Sequence, residues 1–413
     1  MMIDCCRVCG NRRLLSILDL GPQAVTSVFP ASRRNAVPVV PLELVKCSPD
    51  GCGLVQLRHT ADFDVMYGPH YGYHSSAGQF MIRHLGSKVA DIVRRISLGR
   101  GDIVLDIGSN DGTLLRAYPN TELTLVGIDP SGEKFRHLYP PNAELIVDFF
   151  AKDLFTSRYG DRKAKVITSI AVFYDLPRPM EFMQDVHDIL DDDGIWVLEH
   201  AYLPAMLENT AYDVICHEHL EYYALRDIEW MAQRVGLTVI SAEINSVYGG
   251  SLCATLAKRP ERHQVDHAGL ARIRAREREL KLDTMAPYEE FARRVPEARD
   301  RLLQFLDDSR RAGKLTLGYG ASTKGNVILQ YCGLSEAELP CIGDVNKEKW
   351  GCFTPGTGIP IVSQGEAKAR KPDQLLVLPW IHRNDFVERE QEFVAGGGRL
   401  VFPLPRFEIV SSG

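Results

Sequence analysis

No stretch of this 413-residue chain approaches the roughly 20 consecutive apolar residues that cross a bilayer, so no membrane partner is expected. The first residues, Met1 to Cys6, lack a basic segment followed by an apolar one. A secretory leader is therefore not expected, and the protein is expected in the cytoplasm. Positive charge is not in excess: 48 Lys and Arg stand against 54 Asp and Glu, a formal net charge of -6. That balance leaves no electrostatic footprint for nucleic acid. The densest basic run, Arg272 to Arg278, is interrupted by Glu277 and followed by Glu279, and reads as a solvated helix face. Low-complexity tracts are missing, and 45% hydrophobic with 25% charged residues describes a globular chain. Its length suggests two or three domains.

What is present begins with cysteine. Ten are expected as free thiols in a reducing compartment, where clustered ones read as metal ligands rather than disulfides. Cys6-x2-Cys9 and Cys47-x4-Cys52 each sit beside glycine, at Gly10 and at Gly51 and Gly53. Four thiolates satisfy tetrahedral Zn2+ and leave no open position, which makes such a site structural. The second spacing is longer than the commonest pattern; Cys5 is an alternative to Cys6, and His59 a more distant one. A segment of about 72 residues buries little core alone, so a metal staple is physically reasonable.

An aromatic stretch follows, Tyr67-Gly68-Pro69-His70-Tyr71-Gly72-Tyr73-His74-Ser75-Ser76, with neither helical nor strand period. Its density of hydroxyls and imidazoles suits a loop facing a ligand. A helix is expected over 79–96, with apolar positions Phe80, Leu85, Val89, Ile92 and Val93. From 102 to 200 apolar runs alternate with helical segments, which implies a parallel, doubly wound sheet. A helix over 225–236, a hairpin of 237–244 with 251–256, and a charged helical connector over 260–311 come next. The remainder starts with a strand and a glycine turn at Gly318 and Gly320 and reads as a second unit of the same kind.

The organising feature is the turn after the run Ile103 to Ile107. Gly108 and Gly112 bracket Ser109, Asn110 and Asp111, and Asp106 precedes them. Ligands bind at the carboxyl ends of such strands. A diphosphate would meet the charges of Asp106 and Asp111, so the acids suit a cationic ligand better. The next strand ends at Asp129, whose carboxylate can accept from two ribose hydroxyls, and Asp148-Phe149-Phe150 can hydrogen-bond and stack a base. A dinucleotide remains the alternative.

These residues resemble the class I S-adenosylmethionine-dependent methyltransferases. On that resemblance Gly108 and Asn110, with Asp106 and Asp111 nearby, line the methionine portion, Asp129 holds the ribose, and Asp148 and Phe149 hold the adenine. Over nearly the whole chain the motifs, in order, resemble the zinc-containing sugar C-methyltransferases: the cysteine pairs, Tyr73-His74-Ser75-Ser76, Asp106 to Gly112, Glu218-His219, and Gly318 to Lys324. The resemblance implies three parts: a zinc-binding domain over 1–72, a class I methyltransferase Rossmann-like domain over 73–258, and a helical connector with a second Rossmann-like α/β domain over 259–413. It implies a nucleotide diphosphate-linked 4-keto deoxysugar as substrate, carrying thymidine or guanosine, and a monomer or weak homo-oligomer.

In that family a base removes the proton on C3, acidified by the C4 ketone, and the enolate takes the methyl group. The base must reach C3, and donors must face the C4 oxygen. His219 matches the family's base, Glu218 the adjacent carboxylate and Tyr73 a site tyrosine. His74, Ser75, Asp175 and Cys216 are expected at the sugar; some relatives have tyrosine at the position of Cys216 and histidine at that of Asp175. Gly320, Ser322 and Lys324 suit a phosphate cradle, with Trp380 and His382 at the nucleotide end. The turn lacks the Gly-Lys-Ser/Thr of a nucleoside triphosphatase. Open alternatives are a transition metal on His217 and His219, methylation at a hydroxyl, and a zinc-bearing nucleotide-sugar binding protein without activity.

Overall fold

The protein is described by a computed structural model that covers residues 1–67, 73–119 and 122–412, without the Ala77 side chain. Gly68, Pro69, His70, Tyr71 and Gly72 of the aromatic stretch lie outside the described residues.

The first sheet is antiparallel: β1 (Leu14–Ala24), β2 (Val39–Cys47) and β3 (Val55–Leu57). Its fourth strand comes from much later in the chain, β9 (Glu221–Tyr222), paired with β3. The sheet is thereby stitched to the segment that carries Glu218 and His219.

The second sheet contains β4 (Ile103–Ile107), β5 (Thr124–Ile128), β6 (Ala143–Ile146), β7 (Ala164–Ile170), β8 (Leu190–Ala201), β10 (Thr238–Asn245) and β11 (Ser251–Ala257), in the order β10-β11-β8-β7-β4-β5-β6. Strands β4 to β8 are parallel, and β11 is antiparallel to both β8 and β10. This is the class I methyltransferase arrangement. Successive residues of β4 serve different cores: Ile103, Leu105 and Ile107 join one apolar cluster, and Val104 joins another. Such a strand, covered on both faces, reads as an unbroken apolar run. Strand order reverses between β4 and β7, so their carboxyl ends open the crevice where ligands bind.

The helix Gln79–Arg95 covers one face with Leu85, Lys88, Val89 and Ile92, spaced as one helical stripe. Phe80 and Val93, expected among its apolar contacts, are instead substantially exposed. Lys88 is buried because Glu199 and Glu243 pair with its ammonium.

The connector is two helices, His267–Glu279 and Ala286–Arg311. Its charged run is not wholly solvated. Glu277 is buried, accepting the backbone N–H groups of Leu225 and Arg226 and the Tyr202 hydroxyl. It caps the helix Leu225–Arg234, whose first amides have no helical acceptor.

The third sheet comprises β12 (Thr316–Tyr319), β13 (Ile342–Asp344), β14 (Ile361–Ser363), β15 (Gln374–Val377), β16 (Arg399–Phe402) and β17 (Glu408–Val410), in the order β14-β13-β12-β15-β16-β17. All but β17 are parallel, and the order reverses between β12 and β15. One apolar cluster runs continuously through Leu44, Ile107, Tyr212, Leu317 and Leu376, so the three sheets share a core. Among the described residues no helix is long and apolar enough to cross a membrane.

Candidate active site

The turn after β4 is held from several sides. Gly108 has φ +71°, and a Cβ there would lie 2.3 Å from Val172 Cγ2. Asn110 adopts φ +49°, a left-handed conformation that asparagine tolerates better than most residues. Its backbone N–H donates to Asp129 Oδ2 at 2.8 Å, and its side chain bonds the Ser75 N–H and the Tyr73 carbonyl. These contacts pin the loop 73–76 over the turn.

The acids near the turn differ in what they face. Asp106 and Asp129 line a cavity, whereas Asp111 does not. Asp111 is fully buried and accepts from Thr113 and from the Ser76 N–H. Burial alone would raise its carboxyl, but those donors hold it below its ordinary value. It builds the turn and does not present a charge to a ligand. Among the described residues Asp106 has one donor, the Thr168 hydroxyl at 2.6 Å. Burial, together with Asp129 and Asp111, pushes it up to about 7. Asp129 also takes the Ser131 N–H and hydroxyl on Oδ1.

The cavity has a volume of about 1380 Å³ and is walled by all three parts of the chain. That exceeds the roughly 300–1,000 Å³ of a single small-molecule pocket, so two ligands fit side by side. At the donor end it holds Asp106, Gly108, Asn110 and Asp129, with Phe149 edge-on to Phe63. Asp148 is exposed and off the wall; its carboxylate accepts its neighbour Phe149's N–H. Next come Tyr73, His74 and Ser75, then Asp175, Cys216, Glu218 and His219. Ser322, Lys324, Trp380 and His382 form the far wall, and Gly320 is not part of it.

His219 donates Nδ1–H to the Val214 carbonyl at 3.0 Å, and its ring lies 4.3 Å from that of Tyr174. Nε2 is therefore the acceptor nitrogen. Burial, and then the nearby Lys324 charge, push the imidazole down to about 3, so it is neutral at physiological pH. Glu218 accepts the Thr26 hydroxyl on Oε2, and its Oε1 has no partner among the described residues. Asp175 accepts the Tyr67 hydroxyl at 2.9 Å on Oδ2, and its Oδ1 has no partner there either. Burial drives its carboxyl well above the ordinary range, with Glu218 adding to the shift. The Cys216 thiol is likewise driven up by burial and by Glu218. The ring of Tyr73 is partly exposed, but its hydroxyl is buried against Tyr248 and raised by that burial.

Residues 216–219 form a turn rather than a strand, so the two imidazoles diverge. His217 Nε2 donates to the Val40 carbonyl, and its Nδ1 accepts from the Thr26 N–H. Both nitrogens are committed to backbone groups of the N-terminal part of the chain, which removes the reading of a metal held by His217 and His219.

The second glycine turn departs from the expected phosphate cradle. Gly320 has φ +86° and lets Pro379 pack within 2.6 Å of where a Cβ would be. The Ser322 hydroxyl caps its own helix through the Gly325 N–H, and the Ala321 N–H donates to Asp344 Oδ2. Lys324 keeps a free polar end, since its Nζ has no hydrogen-bond partner among the described residues. Trp380 donates Nε1–H to Asp213 Oδ2 at 2.8 Å. Asp213 is buried, and its carboxyl is pushed up to about 6. Asp213 and Tyr248 are cavity residues that sequence reasoning missed. Tyr248 sits at φ +55° in the β10–β11 connection, beside Gly249 and Gly250.

At the other end of the first sheet the sulfur atoms of Cys6, Cys9, Cys47 and Cys52 all lie within 4.8 Å of one another. Cys6 and Cys52 are 3.5 Å apart, and Cys9 and Cys47 are 3.6 Å apart. Tetrahedral Zn–S bonds of about 2.3 Å place sulfurs about 3.8 Å apart, so the residues fit zinc. Gly51 is required, because a Cβ there would lie 2.5 Å from the Cys47 sulfur. Cys5 and His59 are not in the cluster.

Three family models match in chain order: "Putative zinc binding domain" over 6–67, "Methyltransferase domain" over 81–242, and "C-methyltransferase C-terminal domain" over 246–405. The C-methyltransferase NovU of Streptomyces niveus is 31% identical over 415 residues, covering 99% of this chain and 97% of NovU. Among solved structures, the CcbJ methyltransferase of Streptomyces caelestis aligns with a TM-score of 0.34 at 15% identity, over 45% of this chain and 98% of its own. An O-methyltransferase family protein of Burkholderia thailandensis aligns at 0.32 and 17%, over 43% and 57%. Neither structural likeness carries weight at those scores.

Proposed function

The chain belongs to the family of C-methyltransferases that join a zinc-binding domain, a methyltransferase domain and a C-methyltransferase C-terminal domain, and from that premise we propose that it methylates C3 of a nucleotide diphosphate-linked 4-keto deoxysugar, using S-adenosylmethionine. The observation that carries this reading is the shared cavity. His219, a neutral imidazole whose Nε2 makes no hydrogen bond among the described residues, and Glu218, a carboxylate with one oxygen unpaired among them, share it with the acid-lined glycine turn.

The donor end suits S-adenosylmethionine. Asp129 is the carboxylate for the ribose, Gly108 and Asn110 supply close backbone, and Phe149 with Phe63 gives an aromatic wall for the adenine. Asp106 and Asp129 together favour a cation over a diphosphate. Bound there, S-adenosylmethionine supplies an electrophilic methyl group on sulfur. Zn2+ on Cys6, Cys9, Cys47 and Cys52 is structural, because all four positions belong to the protein.

The chain's own residues make the nucleophile. His219 Nε2 takes the C3 proton of the sugar, and the hydrogen bond from Nδ1–H to the Val214 carbonyl fixes the tautomer and supports the charge gained. Glu218 binds a sugar hydroxyl through Oε1 and steadies the ring. Asp175, whose carboxyl burial raises, hydrogen-bonds a sugar oxygen through its unpaired Oδ1. Tyr73 and Tyr248 close the cavity beside the reacting carbon and limit water.

The test is incubation of purified protein with S-adenosylmethionine and thymidine- or guanosine-diphosphate 4-keto-6-deoxysugars. A product heavier by one methylene unit is expected, with solvent deuterium entering C3 when the methyl donor is omitted. Neither product nor exchange with either nucleotide series would sink the reading.

A further inference from the structure

Lys324 stands apart from every other cation on the cavity wall. Its ammonium is buried and makes neither hydrogen bond nor ion pair among the described residues. It lies 5.5 Å from the centre of the Tyr248 ring. Its charge is felt at His219, at Asp213 and at Cys216. The side chain thus leaves the second glycine turn and enters the end of the cavity that holds the imidazole. The sequence pattern places it at a diphosphate cradle, but that turn's own donors are largely committed inward.

A buried ammonium without a bonded partner is unfavourable unless a ligand supplies one. Asp213 is the acid that acts on the ammonium without being joined to it, and Asp213 Oδ1, like Glu218 Oε1 on the same cavity wall, is without a partner among the described residues. A ligand oxygen that gains negative charge beside His219 would complete the arrangement.

Building on the keto-sugar reading, we propose that Lys324 is a catalytic residue: its ammonium pairs with the sugar's C4 oxygen while His219 Nε2 removes the C3 proton. The C3–H electron pair becomes the C3–C4 π bond, the carbonyl π pair moves onto the oxygen, and His219 holds the proton. Charge appears on that oxygen only as the reaction proceeds, and a prepositioned cation in a dry site favours the transition state over the ketone. The C-terminal domain then supplies a group at the reacting centre.

The test is C3 deuterium exchange and methyl transfer by full-length Lys324→Met, with calorimetric titration of the matching nucleoside diphosphate alone. Exchange and kcat are expected to fall about 100- to 1,000-fold, with nucleoside diphosphate affinity within about threefold of wild type and partial recovery in Lys324→Arg. Lys324→Gln repeats the test if the methionine variant does not fold. Unchanged exchange overturns the inference. So does a tenfold or greater loss of nucleoside diphosphate affinity with kcat preserved at saturation, which marks a phosphate-binding lysine. Wild type that exchanges no C3 proton from any keto-sugar nucleotide overturns the underlying reading, and is told apart because the variants then play no part.

Discussion

The Thr26 hydroxyl lies 3.3 Å from Glu218 Oε2, and the carbonyl of the same threonine accepts from Asn326 Nδ2 at 2.7 Å. Thr26 follows β1, is wholly buried, and also donates its N–H to His217. One residue of the zinc-bearing part therefore fixes both the loop that carries Glu218 and His219 and the helix that carries Lys324. Gln330 reinforces the clamp by bonding the N–H and carbonyl of Ala24. Thr26→Val keeps the shape and removes the hydroxyl. One hydrogen bond to a carboxylate is worth about 1.5–3 kcal/mol, less at this length, so kcat/KM should fall about tenfold and Thr26→Ser should restore it. Full activity in Thr26→Val would show that Glu218 needs no such anchor.

The same clamp links the cysteine cluster to activity. Cys9→Ser, or prolonged treatment with a strong chelator, should release zinc and loosen β1 and β2. Turnover should be lost along with several kcal/mol of stability. Elemental analysis gives the metal, and thermal melting gives the stability. Cys5→Ser is the control, because Cys5 lies outside the cluster and should leave zinc content unchanged.

Phe149 is 45% exposed yet lines the donor end of the cavity. Its removal opens no core void, so Phe149→Ala should leave the melting temperature within about a degree. The loss of an aromatic wall, with the roughly 0.5–1.5 kcal/mol of stacking it offers, should weaken S-adenosylmethionine binding about three- to tenfold by calorimetry. An unchanged dissociation constant would move the adenine elsewhere.

Legibility followed distance along the chain. Strand β4, its turn and Asp129 were readable because a parallel strand buried on both faces is a continuous apolar run, and the acids stand at fixed points after it. The cysteine pairs were readable because thiolate spacing and flanking glycine reflect one metal's geometry. Strand β9 was not, since two residues carry no period and their partner β3 lies far upstream. Asp111 could be placed at the turn but not oriented, because orientation depends on N–H groups from residues 76 and 113. The alternative of a metal on His217 and His219 needed both imidazoles on one face, and only the structure shows that the chain turns there instead. Asp213 and Tyr248 belong to no motif and become visible only when Trp380 and Lys324 arrive beside them.

Asp106 gives the sharpest pH prediction. Its folded carboxyl is raised from an ordinary 3.8 to about 7, chiefly by burial. Below pH 3.8 folded and unfolded chains both hold the proton, and the group costs nothing. Between there and about pH 7 the unfolded chain releases it while the folded chain keeps it, so the folded state binds more protons and stability falls as pH rises. Above about 7 the loss is complete, on the order of 4 kcal/mol for a buried group with this shift. Asp106→Asn does not titrate, and its side-chain oxygen can still accept the Thr168 hydroxyl. The variant should therefore melt close to wild type at pH 4 and several degrees higher at pH 8, while binding S-adenosylmethionine more weakly for want of a carboxylate. A melting gap of the same size at both pH values would mean that Asp106 is not held protonated by the fold.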